Sequence, residues 1–293
     1  MNHIPIGILG GSGLYKMKEL GDIEEIKIDT PFGAPSDNYI LGTLGKKRVA
    51  FMPRHGRGHR YLPSEINYRA NIYGFRKLGV RQILSVSAVG SLKLEHKPMD
   101  VILPDQFLDR TRLRISTFFG DGIAAHISFG DPVCAGLADF VRRGAENASV
   151  PVKSGGTYVC MEGPAFSTRA ESNLYRSWGM DIIGMTNLQE AKLAREAEIC
   201  YVTIAMVTDY DCWHEEEEAV NVEMLLEYLS RNNETAQKIL KETVKILPED
   251  RDCGCQHALA TAIITQPDAV SNAARERLDL LIGRYLPGRE TAE

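Results

Sequence analysis

Ile199-Cys-Tyr-Val-Thr-Ile-Ala-Met-Val-Thr-Asp-Tyr-Asp-Cys-Trp213 is an apolar run that stops abruptly at Asp209, Tyr210 and Asp211. β-branched and apolar residues with almost no polar alternation read as a strand buried on both faces, the kind found in parallel sheets. In open α/β sheets ligands gather beyond the carboxyl ends of the strands, so this end is a candidate site. In extended chain an Asp-x-Asp pair puts both carboxylates on one face. The residues alone leave open a second reading, in which Asp209 and Asp211 are loop residues capping the next helix.

Working outward, the same pattern recurs. Ile4–Leu9 runs into Gly10-Gly-Ser-Gly13, a glycine turn whose N–H groups and Ser12 hydroxyl suit a phosphate, although a plain tight turn has the same composition. A dinucleotide fingerprint needs a further glycine at position 16, which is Lys16. Short strands are expected at Glu24–Ile28 and Tyr39–Leu44, and Arg48–Met52 delivers the basic loop Pro53-Arg-His-Gly-Arg-Gly-His-Arg60. Arg54 can grip an anion through its guanidinium, with His55 as a neighbouring donor. Ser64 reads as the N-cap of a helix stopped by Gly79. Gln82–Ser91 is a strand placing Ser87 and the Ala88 N–H much as the glycine turn places Ser12. Asp100–Asp105 is a further strand and Cys134–Asn147 a helix.

From Tyr158 onward, strand Tyr158–Met161, turn Glu162–Ser167, helix Thr168–Trp178, strand Asp181–Thr186 and helix Asn187–Glu198 lead into the first stretch. This β-α-β-α-β rhythm implies an α/β fold with a mixed, largely parallel central sheet flanked by helices. Val220–Ser230, Asn233–Ile246 and Asn272–Tyr285 read as amphipathic helices. No repeat or linker interrupts the chain, so residues 1–293 are expected to form a single domain, its C-terminal helices starting near 220.

The 293 residues are 44% hydrophobic and 25% charged, ordinary globular composition, with a net charge of −5. That balance disfavours nucleic acid or an anionic membrane as partner, and with no membrane-length apolar run and no signal-type start the chain reads as cytoplasmic. Of the cysteines, Cys134, Cys160 and Cys200 sit in apolar segments as small hydrophobes. Cys253-Gly-Cys255 lies outside the usual zinc and redox spacings and lacks an obvious second pair of ligands, so no metal is expected; a local disulfide and free thiols both stay open.

Taken together, Gly10-Gly-Ser-Gly13, Pro53-Arg-His-Gly56, Ser87–Ser91, Glu162–Glu171, Gly184-Met-Thr186 with Glu190-Ala, and Thr208–Trp213 follow one another as in the trimeric purine nucleoside phosphorylases. The chain resembles their 5′-methylthioadenosine phosphorylase branch over residues 4 to about 230. The resemblance implies a nucleoside phosphorylase fold and a pentosyltransferase that cleaves the N-glycosidic bond of 5′-methylthioadenosine with phosphate, giving adenine and 5-methylthioribose 1-phosphate for purine and methionine salvage. It implies no cofactor and no metal, inorganic phosphate being a co-substrate, and a homotrimer or a hexamer of two trimers. Carried over by motif, Ser12, Arg54, His55, Ser87, the Ala88 N–H and Thr186 hold phosphate. Met185 lies under the ribose, and Phe166 packs on the purine. Ser167, Asp209, Tyr210 and Asp211 complete the substrate site, with Asp209 catalytic. Val222, Leu225 and Leu226 wall the 5′ pocket with His126 of an adjacent subunit.

Glycosidic cleavage develops positive charge on the sugar and negative charge on the departing base, which calls for an anion beside the first and a proton donor beside the second. Phosphate is the anion. Burial and a neighbouring Asp211 charge are expected to push a carboxyl pKa up, so that Asp209 can serve as the donor. Asp at 209 and Ser at 167 point to a 6-aminopurine, where 6-oxopurine branches of the family carry Asn and Glu. The alternatives are a 6-oxopurine or methylthioinosine phosphorylase, a hydrolytic nucleosidase, and a non-catalytic nucleotide-binding protein. Gly184 departs from the Asn of the animal-type enzymes.

Overall fold

The computed structural model describes residues 4–11, 13–14, 17–214 and 222–286, with side chains described from 228 onward in the last of these segments. Among the described residues, eleven strands form one sheet. Its middle consists of β1 (Ile6–Gly10), β4 (Lys47–Pro53), β5 (Gln82–Ser91) and β11 (Cys200–Asp209). β1 pairs in parallel with β4 and β5, and β5 in parallel with β11. β2 (Leu20–Ile26) and β3 (Tyr39–Leu44) extend one edge in antiparallel fashion.

The sheet forks at β5. Its first residues lie between β1 and β11, but its last two, Gly90 and Ser91, pair antiparallel with β10 (Ile182–Gly184), which continues to β9 (Thr157–Met161) and β7 (Gln106–Arg110). On the other branch β11 pairs with β6 (Val101–Leu103), and β6 with β8 (Val152–Ser154). The ends of β5, β10 and β11 therefore converge at the fork.

Period-two alternation explains why the central strands are apolar throughout. Leu9, Ile83 and Tyr201 point into a core shared with α1 (Tyr68–Lys77), α4 (Leu188–Glu196) and α6 (Asn272–Ile282). Ile8, Leu84 and Val202 point the other way, against α2 (Ala135–Asn147) and α5 (Val222–Ile246). α3 (Arg169–Ser177) opens on a capping box between Thr168 and Glu171 and stops before Gly179, whose φ is +79°.

Three expectations need correction. α1 starts three residues later than Ser64 suggested: Asn67 is its cap, accepting from the Ala70 N–H at 3.1 Å, while the Ser64 hydroxyl donates to Glu162. The helices expected on either side of residues 231–232 are one helix, α5, because Asn232 turns inward and donates to the Val207 carbonyl at 3.1 Å instead of breaking the backbone. β7 and β8 were not foreseen, being short and polar at the margins of the sheet.

α2 crosses α5 at Gly144, where a Cβ would fall 2.2 Å from Thr243 Oγ1 and 2.7 Å from Thr243 backbone atoms. Since the backbone cannot yield as a side-chain tip can, Gly144→Ala is expected to cost about 1–3 kcal/mol or more in urea unfolding; an unchanged midpoint would show that the helices slide apart freely.

Candidate functional site

Arg54 stands just past β4 with 3% of its surface exposed, so its charge must be matched inside the protein. Glu190, on the first turn of α4 and 1% exposed, supplies the match: Arg54 Nε donates to its Oε1 and Nη2 to its Oε2 at 3.1 Å. Nη2 also reaches Ser85 Oγ at 2.6 Å, and Nη1 the Val86 carbonyl at 3.0 Å. Four of five N–H donors are thereby engaged, leaving one on Nη1. Glu190 also accepts from Ser85 Oγ and Tyr201 Oη, both at 2.8 Å. Asn187, at φ +80° before α4, shares its amide among Ser85, Tyr201 and Thr203 and accepts from Thr186 Oγ1 at 3.0 Å. A single buried polar network thus joins β4, β5, α4 and β11.

His55 follows Arg54. Its Nδ1 lies 2.8 Å from the Tyr61 carbonyl, which can only accept, so Nδ1 carries the proton. Burial first, and then the Arg54 charge, bring its pKa down to about 4. The ring is therefore neutral near pH 7, and Nε2 offers a lone pair: His55 is an acceptor toward a ligand and not the donor expected from sequence. Ser87 Oγ is buried without a hydrogen-bond partner among the described residues, and Ala88 is exposed in the middle of a central strand.

The register of β11 against β5 slips between Val207 and Asp209, and Asp209 comes to face Gly90. Such an irregularity re-aims side chains at a strand end. A Cβ on Gly90 would stand 2.9 Å from Asp209 Oδ1, so glycine makes room for the carboxyl. Oδ2 accepts from Thr208 Oγ1 at 2.6 Å and Oδ1 from the Asp211 N–H at 2.8 Å. Asp211 sits in a turn at φ +53°, not in extended chain, so the pair is brought together by this turn and not by strand alternation. Burial raises the Asp209 pKa against the two hydrogen bonds it accepts. Burial also raises Asp211, and a charged Asp209 adds to it, so within the pair the charge effect falls on Asp211 and not, as expected from sequence, on Asp209. Asp211 Oδ2 is buried with no partner among the described residues.

Around this end, Tyr210 is buried with its hydroxyl 3.2 Å from the Leu94 carbonyl. Ser167 accepts at its carbonyl from the Cys212 thiol. Met185 packs so closely on Gly163 that a Cβ there would meet its sulfur at 2.5 Å. Gly184 has a reason of its own: a Cβ would lie 2.0 Å from the hydroxyl of the fully buried Tyr158. Phe166 is 78% exposed. His126 is tied by its N–H to the Ala262 carbonyl, on a segment separate from this cluster. Ser12 and the side chains of Val222, Leu225 and Leu226 lie outside the described residues.

In the sequence Glu190 and Thr208 stand in motifs without an assigned role, and Ser85, Asn187 and Tyr201 carry none. One signal was available: Leu188, Ala191, Leu193 and Ala194 around Glu190 mark a helix that the fold buries. Replacing Glu190 with Gln leaves Arg54 buried without its counter-charge and should cost about 3–5 kcal/mol. Urea unfolding at fixed protein concentration checks this, and a loss below about 1 kcal/mol would mean that the pair is not structurally essential.

Residues 5–245 match the sequence profile of the phosphorylase superfamily. A protein of Koribacter versatilis described as S-methyl-5′-thioadenosine phosphorylase is 62% identical over 280 residues, 96% of either chain. A Geobacter sulfurreducens protein of the same description is 56% identical over 96% of this chain and 99% of its own. Among solved structures, a methylthioadenosine phosphorylase from an antarctic soil metagenomic library superposes with a TM-score of 0.92 at 49% identity, covering 96% and 99% of the two chains. Methylthioadenosine phosphorylase from Schistosoma mansoni in complex with adenine gives 0.82 at 35% identity, with coverage of 88% and 96%. With this fold, these strand-end residues and these relatives, the chain belongs to the phosphorylase superfamily.

Proposed function

We propose that the protein is a 5′-methylthioadenosine phosphorylase, transferring the 5-methylthioribosyl group from adenine to inorganic phosphate. The observation that carries the reading is the Asp209 carboxyl, brought to face Gly90 at the end of β11, where burial raises its pKa. Ala88 lies two residues before Gly90, the partner of Asp209, and on the same face of β5, so an anion at the Ala88 N–H and a base at Asp209 are separated by about 7 Å along the strand. That span suits a nucleoside whose sugar bridges the two.

In this reading the bond between the anomeric carbon and the purine nitrogen breaks as a phosphate oxygen joins the carbon. Protonated Asp209 donates to N7 of the departing adenine, and its other oxygen accepts from N6. Phosphate is held by Ser12, the partnerless Ser87 hydroxyl, the Ala88 N–H, Thr186 and the remaining Arg54 hydrogen. His55 Nε2 accepts a hydrogen bond from the hydroxyl that phosphate still carries near neutral pH. Because Glu190 already balances the Arg54 charge, neutral donors do most of the holding. Ser167, Tyr210 and Asp211 shape the base site, Phe166 covers the purine and Met185 the ribose.

The reading includes no cofactor, no catalytic metal, a single domain over residues 1–293 and a cytoplasmic location; no helix among the described residues is long and apolar enough to cross a membrane. It also includes a homotrimer, with hexamers as a further arrangement, in which a neighbour covers exposed Phe166, Leu113 and Ile115 and lends His126 to the 5′ pocket walled by Val222, Leu225 and Leu226.

Assays with methylthioadenosine, adenosine and inosine, each with and without phosphate, test the reading: adenine release should require phosphate and be fastest from methylthioadenosine. Preference for inosine would favour the 6-oxopurine branch, and phosphate-independent release a nucleosidase. Asp209→Asn should cut adenine-nucleoside turnover about 10²–10⁴-fold. Since the acid form of Asp209 is the donor, wild-type activity should fall as pH rises through its elevated pKa, and the variant should lack that alkaline limb. A variant with unchanged turnover would remove Asp209 from its role.

A further inference from the structure

At the end of β11 opposite Asp209, Cys200 opens the strand, roughly 30 Å away by strand length. Cys134, from the start of α2, and Cys253 and Cys255, from the segment after α5, meet it there. The sulfurs of all four lie within 4.8 Å of one another, and Cys134, Cys200 and Cys255 are buried. The second pair of ligands that Cys253-Gly-Cys255 lacks in sequence is thus supplied by two distant segments.

We propose that Cys134, Cys200, Cys253 and Cys255 form a tetrathiolate site for one zinc ion. Around Zn²⁺, sulfurs at about 2.3 Å from the metal stand about 3.8 Å apart. The cluster reaches that edge with shifts of about 1 Å or less, the Cys200–Cys253 sulfurs opening from 3.2 Å and wider pairs closing from at most 4.8 Å. A tetrahedral set of four sulfurs is the donor arrangement of a structural zinc site.

The surroundings favour thiolate. Arg251 Nη1 donates to Cys200 Sγ at 2.7 Å, a cation against the excess negative charge of four thiolates on a divalent ion. Cys134 occupies the N-cap of the 13-residue helix α2, where N–H groups favour an anion. Metal uptake would release the protons of the thiols. The site would tie α2, the start of β11 and the chain leaving α5 into one unit, stabilising the fold without entering the reaction.

The full-length protein, purified under argon without an affinity tag, should contain one zinc per chain by elemental analysis. Exchange to Co²⁺ should give the visible ligand-field bands and sulfur-to-metal ultraviolet band of a tetrahedral thiolate site. Cys253→Ser and Cys255→Ser should each abolish those bands, and chelation should lower Tm while leaving phosphorolysis at low temperature unchanged. Four titratable thiols that take up neither zinc nor cobalt would overturn the proposal, as would metal-free protein whose cysteines are found by mass spectrometry to be joined as disulfides.

Discussion

A guanidinium buried beyond β4 has to find its counter-charge inside the protein, because an unpaired ion there costs several kcal/mol. Glu190 meets that need, and the geometry of the pair dictates what surrounds it. Glu190 sits on the first turn of α4, so α4 must start directly over the sheet. Asn187 is turned into a left-handed conformation at that start, and its amide reaches the hydroxyls of Ser85, Tyr201 and Thr203 on two central strands. Thr186 and Ser87 are thereby presented on a rigid frame. Because Glu190 offsets the Arg54 charge, the net charge beside them is small, and an anion there would be held chiefly by hydrogen bonds.

The acid at the other end of the site depends on a different device. β11 is buried along its length, but its ladder slips once before Asp209, and Gly90 leaves the space into which the carboxyl turns. Both oxygens are then fixed by Thr208 and the Asp211 N–H. Burial and these two hydrogen bonds oppose one another, and burial wins, so the group keeps its proton above the usual carboxylate range. A strand that had stayed in register would have placed the same residue without this control.

Much of the fold was legible because the central strands are apolar on both faces, and such β-branched runs as Ile6–Gly10 and Cys200–Asp209 favour buried strands. β7 and β8 were not, since Gln106–Arg110 and Val152–Ser154 are short, polar stretches whose pairing depends on neighbours distant in sequence. Ser64 and Asn67 are equally good caps, and only the demand of Glu162 for the Ser64 hydroxyl separates them. Within the site, Asp209 announced itself at the end of a buried run. His55 was read with the wrong polarity because its tautomer is fixed by the Tyr61 carbonyl, six residues on. Ser85, Asn187 and Tyr201 carry no local signal: their importance arises where three elements meet. The same holds for the four cysteines, whose spacing shows one pair and hides the other.

In the proposed reading Asp209 and the Ser87–Ala88 stretch hold the base and the phosphate on either side of one ribose. A crystal structure with adenine and phosphate bound tests it most directly. Adenine N7 is expected within hydrogen-bond distance of Asp209, and phosphate against Ser87, the Ala88 N–H and Thr186, with His55 Nε2 facing a phosphate oxygen. Adenine held elsewhere, or phosphate remote from the end of β5, would rule that arrangement out.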